Sequence, residues 1–199
     1  MNIINMTKEL FVKIPEEMTL ISNNVAEKMK KDVLSAQEWE AVMSLLDEVL
    51  IPRFKSAGRF IELLDILNEL HNRPFMQPTA ADLYIRQGLV CESMIDAAAA
   101  IEYYDKGIVA YATMIEPDEL RGYCLFNNDA FCHDYEKRFP KAQRLSEKAI
   151  SIDRERHSAW KNRGVSLEHQ DNYVEAAACY IASYIKCGGG GDRRQCGKS

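Results

Sequence analysis

Hydrophobic residues recur at three- and four-residue steps along most of this chain. Phe60, Leu63, Leu64 and Leu67 form one such series, and similar series follow it toward the carboxyl terminus. This spacing is typical of amphipathic helices, and the strict alternation expected of strands is hard to find. Proline and glycine fall mostly between the apolar segments, where they separate one helix from the next. The pattern therefore predicts an all-α protein.

The first 78 residues are predicted to be helical with less regular spacing. Residues 1–34 are expected to form an N-terminal helical segment. Ser35 followed by Glu38 has the form of a capping box and predicts that a helix begins there. Pro52 is expected to kink or end that helix, because proline lacks the N–H group that a helix interior needs. We interpret residues 35–78 as a helical hairpin.

Residues 79–187 contain one spacing three times. A small residue is followed 12 positions later by alanine, and an aromatic residue stands four positions before the small one. The three triplets are Tyr84-Gly88-Ala100, Phe126-Ala130-Ala142 and Trp160-Gly164-Ala176. Small residues at such places allow two facing helices to approach closely. Each triplet therefore predicts a pair of helices, and the three pairs are expected to stack.

The second and third triplets lie 34 residues apart, which is the period of the tetratricopeptide repeat. Residues 157–186 resemble this family at most signature positions, and residues 81–108 resemble it as another copy. Residues 123–154 are similar, with Ser146 where an aromatic is usual. Residues 45–78 resemble a degenerate fourth copy. The resemblance implies a right-handed α-solenoid of antiparallel helix pairs that binds a peptide or partner protein.

In this family the first helix of each repeat lines a concave groove. The resemblance therefore implies a peptide-binding surface, and nine residues are expected to project into it. They are Ile85, Leu89, Glu92, Asn127, Phe131, Asp134, Lys161, Val165 and Glu168. The set has an apolar centre and acidic flanks, so we expect a ligand with apolar anchors and a basic residue. The alternative, that these residues are simply solvated or stacked between helices, stays open.

The last predicted helix is followed only by a glycine-rich segment, residues 188–199, which is expected to be flexible. Repeat stacks usually close with a helix whose outer face is polar. Here that helix carries Tyr180, Ile181, Tyr184 and Ile185. This end is therefore predicted to form a homodimer or to bind a partner. Another interpretation is that the chain is the regulatory domain of a longer protein.

Charge and composition narrow the classes of ligand. The formal net charge is −5, which disfavours nucleic acid and anionic lipid as partners. No apolar run approaches the roughly 20 residues that cross a bilayer, and the amino terminus lacks the pattern of a secretory signal. We therefore expect a cytoplasmic protein whose six cysteines are reduced.

Catalytic chemistry has little support in the sequence. The cysteines contain no Cys-x-x-Cys pair, so no zinc pattern is present. Cys132 and His133 are adjacent, but neighbouring helical residues point about 100° apart and do not face each other. Residues 192–199 resemble a phosphate-binding loop but have Asp192 in place of its first glycine. We predict a non-enzymatic interaction scaffold without cofactor or metal; the rival is a metal- or thiol-dependent enzyme or sensor whose site is assembled only by the fold.

Overall fold

The computed structural model describes residues 23–35, 38–73 and 80–188. The chain divides into two compact units, with the boundary between residues 79 and 80. Every regular element in the described residues is helical, which confirms the predicted all-α class. The predictions for residues 1–22 and for the glycine-rich tail from residue 189 onward lie outside the described residues.

In its described residues, 23–35 and 38–73, the first unit contains four α-helices and one π-helical turn. They are α1 (Asn23–Ser35), α2 (Trp39–Leu45), the π turn (Leu46–Leu50), α3 (Ile51–Ser56) and α4 (Phe60–His71). Helix α1 packs against α2 and α4, and α3 also packs against α4. Buried side chains such as Met29, Leu46, Phe54 and Leu67 fill the space between these helices.

One prediction in this unit is wrong. Ser35 ends α1 instead of beginning a helix, and its hydroxyl donates to the Asp32 carbonyl at 3.1 Å. Glu38 occupies the N-cap position of α2 but makes no side-chain capping bond. Pro52 does not end the helical path, because the π turn runs directly into α3 with helical backbone angles at Leu50 and Ile51. The π turn directly before Pro52 agrees with the other predicted outcome, a kink, since such turns are frequent kink sites.

Over residues 80–188, the second unit consists of six helices arranged as three consecutive pairs. They are α5 (Ala80–Ser93), α6 (Ala97–Ala112), α7 (Glu119–Tyr135), α8 (Phe139–Ile152), α9 (His157–Glu168) and α10 (Tyr173–Gly188). Each helix packs against the next one along the chain. The first helices of successive pairs also pack side by side, α5 with α7 and α7 with α9. This is the stacked-pair arrangement predicted from the three triplets.

The same turn joins the two helices of all three pairs. A residue with a left-handed backbone follows each first helix: Ile95 (φ 60°), Lys137 (φ 59°) and Asp171 (φ 60°). The next residue then donates its N–H to a carbonyl five positions back, as Arg138 does to His133 at 2.8 Å. This is the bond of a Schellman motif, in which glycine is the usual left-handed residue. None of the three residues is glycine, so the left-handed position of this turn cannot be recognised from residue type alone.

Close packing within the first and third pairs depends on a tyrosine that covers a glycine. The Tyr104 ring of α6 lies directly over Gly88 of α5, so a Cβ atom at Gly88 would collide with ring carbons Cε1 and Cζ. In the third pair, a Cβ atom at Gly164 would lie 2.7 Å from Cε1 of Tyr180. Both contacts are too close for any side chain larger than glycine's hydrogen.

A hydrogen bond to the facing helix holds each ring in place. The Tyr104 hydroxyl donates to Glu92 at 2.5 Å, and the Tyr180 hydroxyl donates to Glu168 at 2.5 Å. Each glutamate stands four residues after the glycine that its tyrosine covers. Glycine, glutamate and tyrosine therefore act together as one packing unit.

The middle pair packs without this unit. Ala130 occupies the glycine position, and Ser146 replaces the tyrosine. Both residues are fully buried, and the Ser146 hydroxyl has no hydrogen-bond partner among the described residues. Alanine is larger than the glycine of the other pairs, and serine is smaller than their tyrosine, so the two differences offset each other.

We predict that Gly88→Ala destabilises the protein, although alanine is the better helix former by about 0.5–1 kcal/mol. The new methyl group would collide with the fixed Tyr104 ring, and overpacking of this kind costs about 1–3 kcal/mol. Tyr104→Ser should relieve the collision by copying the alanine–serine arrangement of the middle pair. Urea unfolding of the two single variants and the double variant measures the coupling. An equal cost of Gly88→Ala with tyrosine or serine at position 104 would contradict this account.

We also predict that Ile95→Gly stabilises the protein by about 1 kcal/mol. A β-branched side chain disfavours the left-handed backbone that Ile95 adopts, whereas glycine adopts it freely. Ile95 is exposed, so its removal forfeits little packing. Lys137→Gly is the matched control and should stabilise less, because lysine is not β-branched. Thermal melts check both values, and a loss of stability in Ile95→Gly would contradict the prediction.

Candidate protein-binding surface

The nine residues predicted to line a groove occupy equivalent places on α5, α7 and α9. They form three rows, set by their distance from the small residue of each repeat. The outer row is Ile85, Asn127 and Lys161; the central row is Leu89, Phe131 and Val165; the acidic row is Glu92, Asp134 and Glu168. Since α7 packs against both α5 and α9, each row crosses neighbouring helices.

The central row is apolar and has its most exposed member in the middle. Phe131 of α7 exposes 49% of its surface, an unusually large fraction for a phenylalanine. Leu89 and Val165, at the same position of the flanking repeats, are partly buried. The row therefore offers one exposed aromatic ring between two partly covered aliphatic side chains.

The acidic row is tied to the packing of the repeats. Glu92 and Glu168 accept the tyrosine hydroxyls described above, and Asp134 accepts from the Ser166 hydroxyl at 2.7 Å. Burial raises the pKa of Asp134 to about 6, although the bond from Ser166 opposes this shift. These carboxyl groups are thus fixed in position by neighbouring helices.

The outer row contains a partly buried isoleucine, a structural asparagine and an exposed cation. Ile85 packs against the core of the second unit. Asn127 is buried, and the Asn162 amide of α9 donates to its backbone carbonyl at 3.1 Å and its side-chain carbonyl at 3.2 Å. Asn127 therefore joins α7 to α9. Lys161 is exposed and forms no ion pair within the part of the chain that the structure describes.

Charged contacts between repeats were not anticipated from the sequence. Arg121 of α7 binds Asp82 of α5 at 2.9 Å. Arg163, directly before Gly164, binds Glu147 of α8 at 3.1 Å and Glu175 of α10 at 3.4 Å. The only signal in the sequence was a charged residue directly beside a small packing residue.

The middle repeat has Asp129 where the third has Arg163. Asp129 and His133, on one face of α7, lie 3.5 Å apart between Nε2 and Oδ1 and are at most 1% exposed. None of their side-chain nitrogen or oxygen atoms has a hydrogen-bond partner among the described residues. Burial raises the pKa of Asp129 to about 7, with Asp105 contributing, and lowers the pKa of His133 to about 4. At neutral pH His133 is therefore uncharged, and the partly ionised Asp129 carboxyl has no hydrogen-bond partner among the described residues.

The described residues offer no clear reactive centre. No group of three or more histidine, cysteine or acidic side chains within them could hold a metal ion. Cys91 and Cys132 are buried free thiols, and burial raises the pKa of Cys91 to about 11 and that of Cys132 still further. Both therefore remain protonated and weakly nucleophilic at neutral pH. Cys179 and Cys187 are also free thiols, and the expectation for Cys196 lies outside the described residues.

The predicted end surface is divided between two faces of α10. Tyr180 is partly buried against Gly164 and belongs to the internal packing. Ile181, Tyr184 and Ile185 expose 60%, 79% and 62% of their surfaces.

None of the helices that the structure describes is both long and apolar enough to cross a membrane.

Comparison with solved structures places the chain among known helical-repeat folds. BtubC (BKLC) from P. vanneervenii superposes with a TM-score of 0.70 at 14% identity, over 98% of this chain and 83% of BtubC. An RS-1 MamA double mutant gives 0.63 at 12% identity, covering 92% of each chain. Another MamA structure gives 0.51 at 18% identity, covering 83% of this chain and 95% of MamA. The likeness supports a fold of the tetratricopeptide type.

No family profile and no curated protein sequence matches the chain. At the identities above, the structural likeness bears on the fold alone.

The buried pair predicts a pH-dependent effect of Asp129→Asn. The Asp129 carboxyl ionises near pH 4 in the unfolded chain, but burial raises its pKa to about 7 in the folded protein. Between these two pH values the wild-type protein therefore loses stability as pH rises. Asparagine does not ionise, so stability of the variant relative to wild type should rise by about 1–3 kcal/mol between pH 4.5 and pH 8. Thermal melts of both proteins at the two pH values measure this difference.

The Asp129→Asn change also alters the surroundings of His133, so it could change the titration of His133 as well. The same stability difference is therefore measured in a His133→Leu background, where position 133 does not titrate. A stability difference between wild type and Asp129→Asn that is the same at both pH values would contradict the prediction.

Proposed function

We propose that this protein is an interaction scaffold that binds a peptide segment of a partner protein across the first helices α5, α7 and α9. The exposed Phe131 ring carries the proposal, because it stands at the centre of an apolar row that crosses three adjacent helices. Exposed aromatic side chains at the centre of a surface are frequent anchors of protein interfaces. The fold shared with BtubC and MamA is consistent with a role in protein interaction.

The fixed polar contacts favour binding without a large rearrangement. Asp82 with Arg121, Asn127 with Asn162 and Asp134 with Ser166 connect successive first helices. A surface held in one geometry loses less conformational entropy when a ligand binds. The peptide therefore meets a largely preformed surface.

Charge defines the class of peptide more closely. The acidic row flanks the apolar row, and Glu168 at its end is exposed. A peptide with an aliphatic or aromatic anchor on Phe131 and a lysine or arginine toward Glu168 fits this arrangement. The exposed Lys161, on the other side, suits the peptide's carbonyl or carboxylate groups.

A displayed library of random peptides tests the proposal. Selection on the wild-type protein should enrich sequences that combine an apolar anchor with a basic residue. Binding of the enriched peptides, measured by fluorescence anisotropy, should weaken at least about tenfold in Phe131→Ala, as truncation of a central anchor does.

Val109→Ala is the matched control, because Val109 is also exposed and apolar but lies on α6. Its affinity for the peptides should equal that of the wild type. Failure to enrich any peptide, or affinities unchanged by Phe131→Ala, would contradict the proposed surface.

A further inference from the structure

One set of three charged positions recurs in the middle and third repeats. The first position stands directly before the small residue of the first helix, and the second stands directly before the alanine of the second helix. The third lies five positions after the alanine of the preceding second helix. In the third repeat these residues are Arg163, Glu175 and Glu147, and in the middle repeat they are Asp129, Lys141 and Asp105. Each set contains two carboxylates and one cation, but the cation occupies a different position.

In the third repeat the cation lies on the first helix and reaches both second helices. The Arg163 guanidinium binds Glu147 of α8 at 3.1 Å and Glu175 of α10 at 3.4 Å. One cation therefore serves both carboxylates of the set.

In the middle repeat the cation lies on a second helix and binds one carboxylate. Nζ of Lys141 lies 3.5 Å from Oδ1 of Asp105 on α6, and both side chains are about half exposed. Asp129, on the first helix α7, is fully buried beside His133 and forms no hydrogen bond with any described residue. Two carboxylates thus depend on one lysine, which is paired with the exposed one.

The charge of Lys141 also acts on the buried pair. Burial is the main cause of the raised pKa of Asp129 and of the lowered pKa of His133. Lys141 lowers both pKa values, and Asp105 raises both, so each lies close enough to affect the pair. Two further titratable groups of the described chain lie near it: Arg138 at the start of α8, and Cys132 of α7, whose thiol is protonated.

Ionisation of Asp129 changes which partner suits Lys141 better. An exposed ion pair such as Asp105 with Lys141 contributes little, because water screens it. A carboxylate that is charged and buried without a cation is far more destabilising. His133 does not supply that cation, since its pKa of about 4 leaves it uncharged near neutral pH. Lys141 therefore gains more at Asp129 than it loses at Asp105, but only when Asp129 is ionised.

We propose that ionisation of Asp129 draws Lys141 away from Asp105 and so exchanges an ion pair between α6 and α8 for one between α7 and α8. The pKa of Asp129, about 7, places the exchange near neutral pH. The middle repeat thus contains a pH-operated change of helix contacts. The third repeat lacks it, because Arg163 serves both of its carboxylates at once. The exchange is independent of the peptide surface and of any ligand.

Carboxyl-carbon NMR of the whole chain tests the exchange. The resonance of the Asp129 carboxyl reports its ionisation directly, with an expected midpoint near pH 7. Lys141→Gln removes the cation and should raise this midpoint by about 1 pH unit or more. Lys148→Gln is the matched control, because Lys148 is exposed and lies two turns further along α8. Its midpoint should equal that of the wild type.

A double-mutant cycle separates exchange from simple repulsion. Asp105→Asn frees Lys141 and should lower the Asp129 midpoint, but loss of the Asp105 charge alone acts in the same direction. In a Lys141→Gln background no lysine is left to exchange, so Asp105→Asn should then have a much smaller effect. An equal effect in the two backgrounds would overturn the proposal, because Asp105 would then act by repulsion only.

The Lys141 side chain supplies an independent readout. Its side-chain nitrogen resonance should change in the wild type with the same midpoint as Asp129, and should stay constant between pH 6 and pH 8 in Asp129→Asn. A Lys141 resonance that does not follow the Asp129 titration would overturn the proposal. An Asp129 midpoint at the ordinary value of about 4 would overturn it as well.

Discussion

In the first and third repeats, the contact of a tyrosine ring with a glycine backbone determines how closely the two helices approach each other. Tyr104 over Gly88 and Tyr180 over Gly164 leave no room for a Cβ atom. A ring can fix this distance only if it cannot swing away, and the hydroxyl bonds to Glu92 and Glu168 prevent that. Because each glutamate belongs to the first helix, the contact that closes a repeat also fixes a carboxylate on the candidate binding surface.

The middle repeat shows what is lost when that unit is replaced. Ala130 and Ser146 fill the space, but the serine hydroxyl is buried without a partner in the described structure, as are Asp129 and His133 nearby along the chain. A buried polar group without a partner costs stability, and a buried charge costs more. The third repeat avoids this cost at the corresponding position, where Arg163 lies between Glu147 and Glu175. Stability is thus unevenly distributed among repeats of the same shape.

The helices of the second unit could be predicted because apolar periodicity and small residues act locally. Ala100, Ala142 and Ala176 are buried as the triplets indicated. The partners of individual polar residues could not be predicted, since they depend on which helices become neighbours. Asn127 illustrates the difference: its position on a first helix was foreseeable, but its burial follows from Asn162 on the next repeat.

Many polar residues of the first helices are used within the chain, so the proposed binding relies mainly on the apolar side chains left exposed. The row centred on Phe131 is one place with such side chains and the outer face of α10 is another, beside scattered ones such as Ile95 and Val109. The two places lie on different helices, so occupation of one leaves the other accessible.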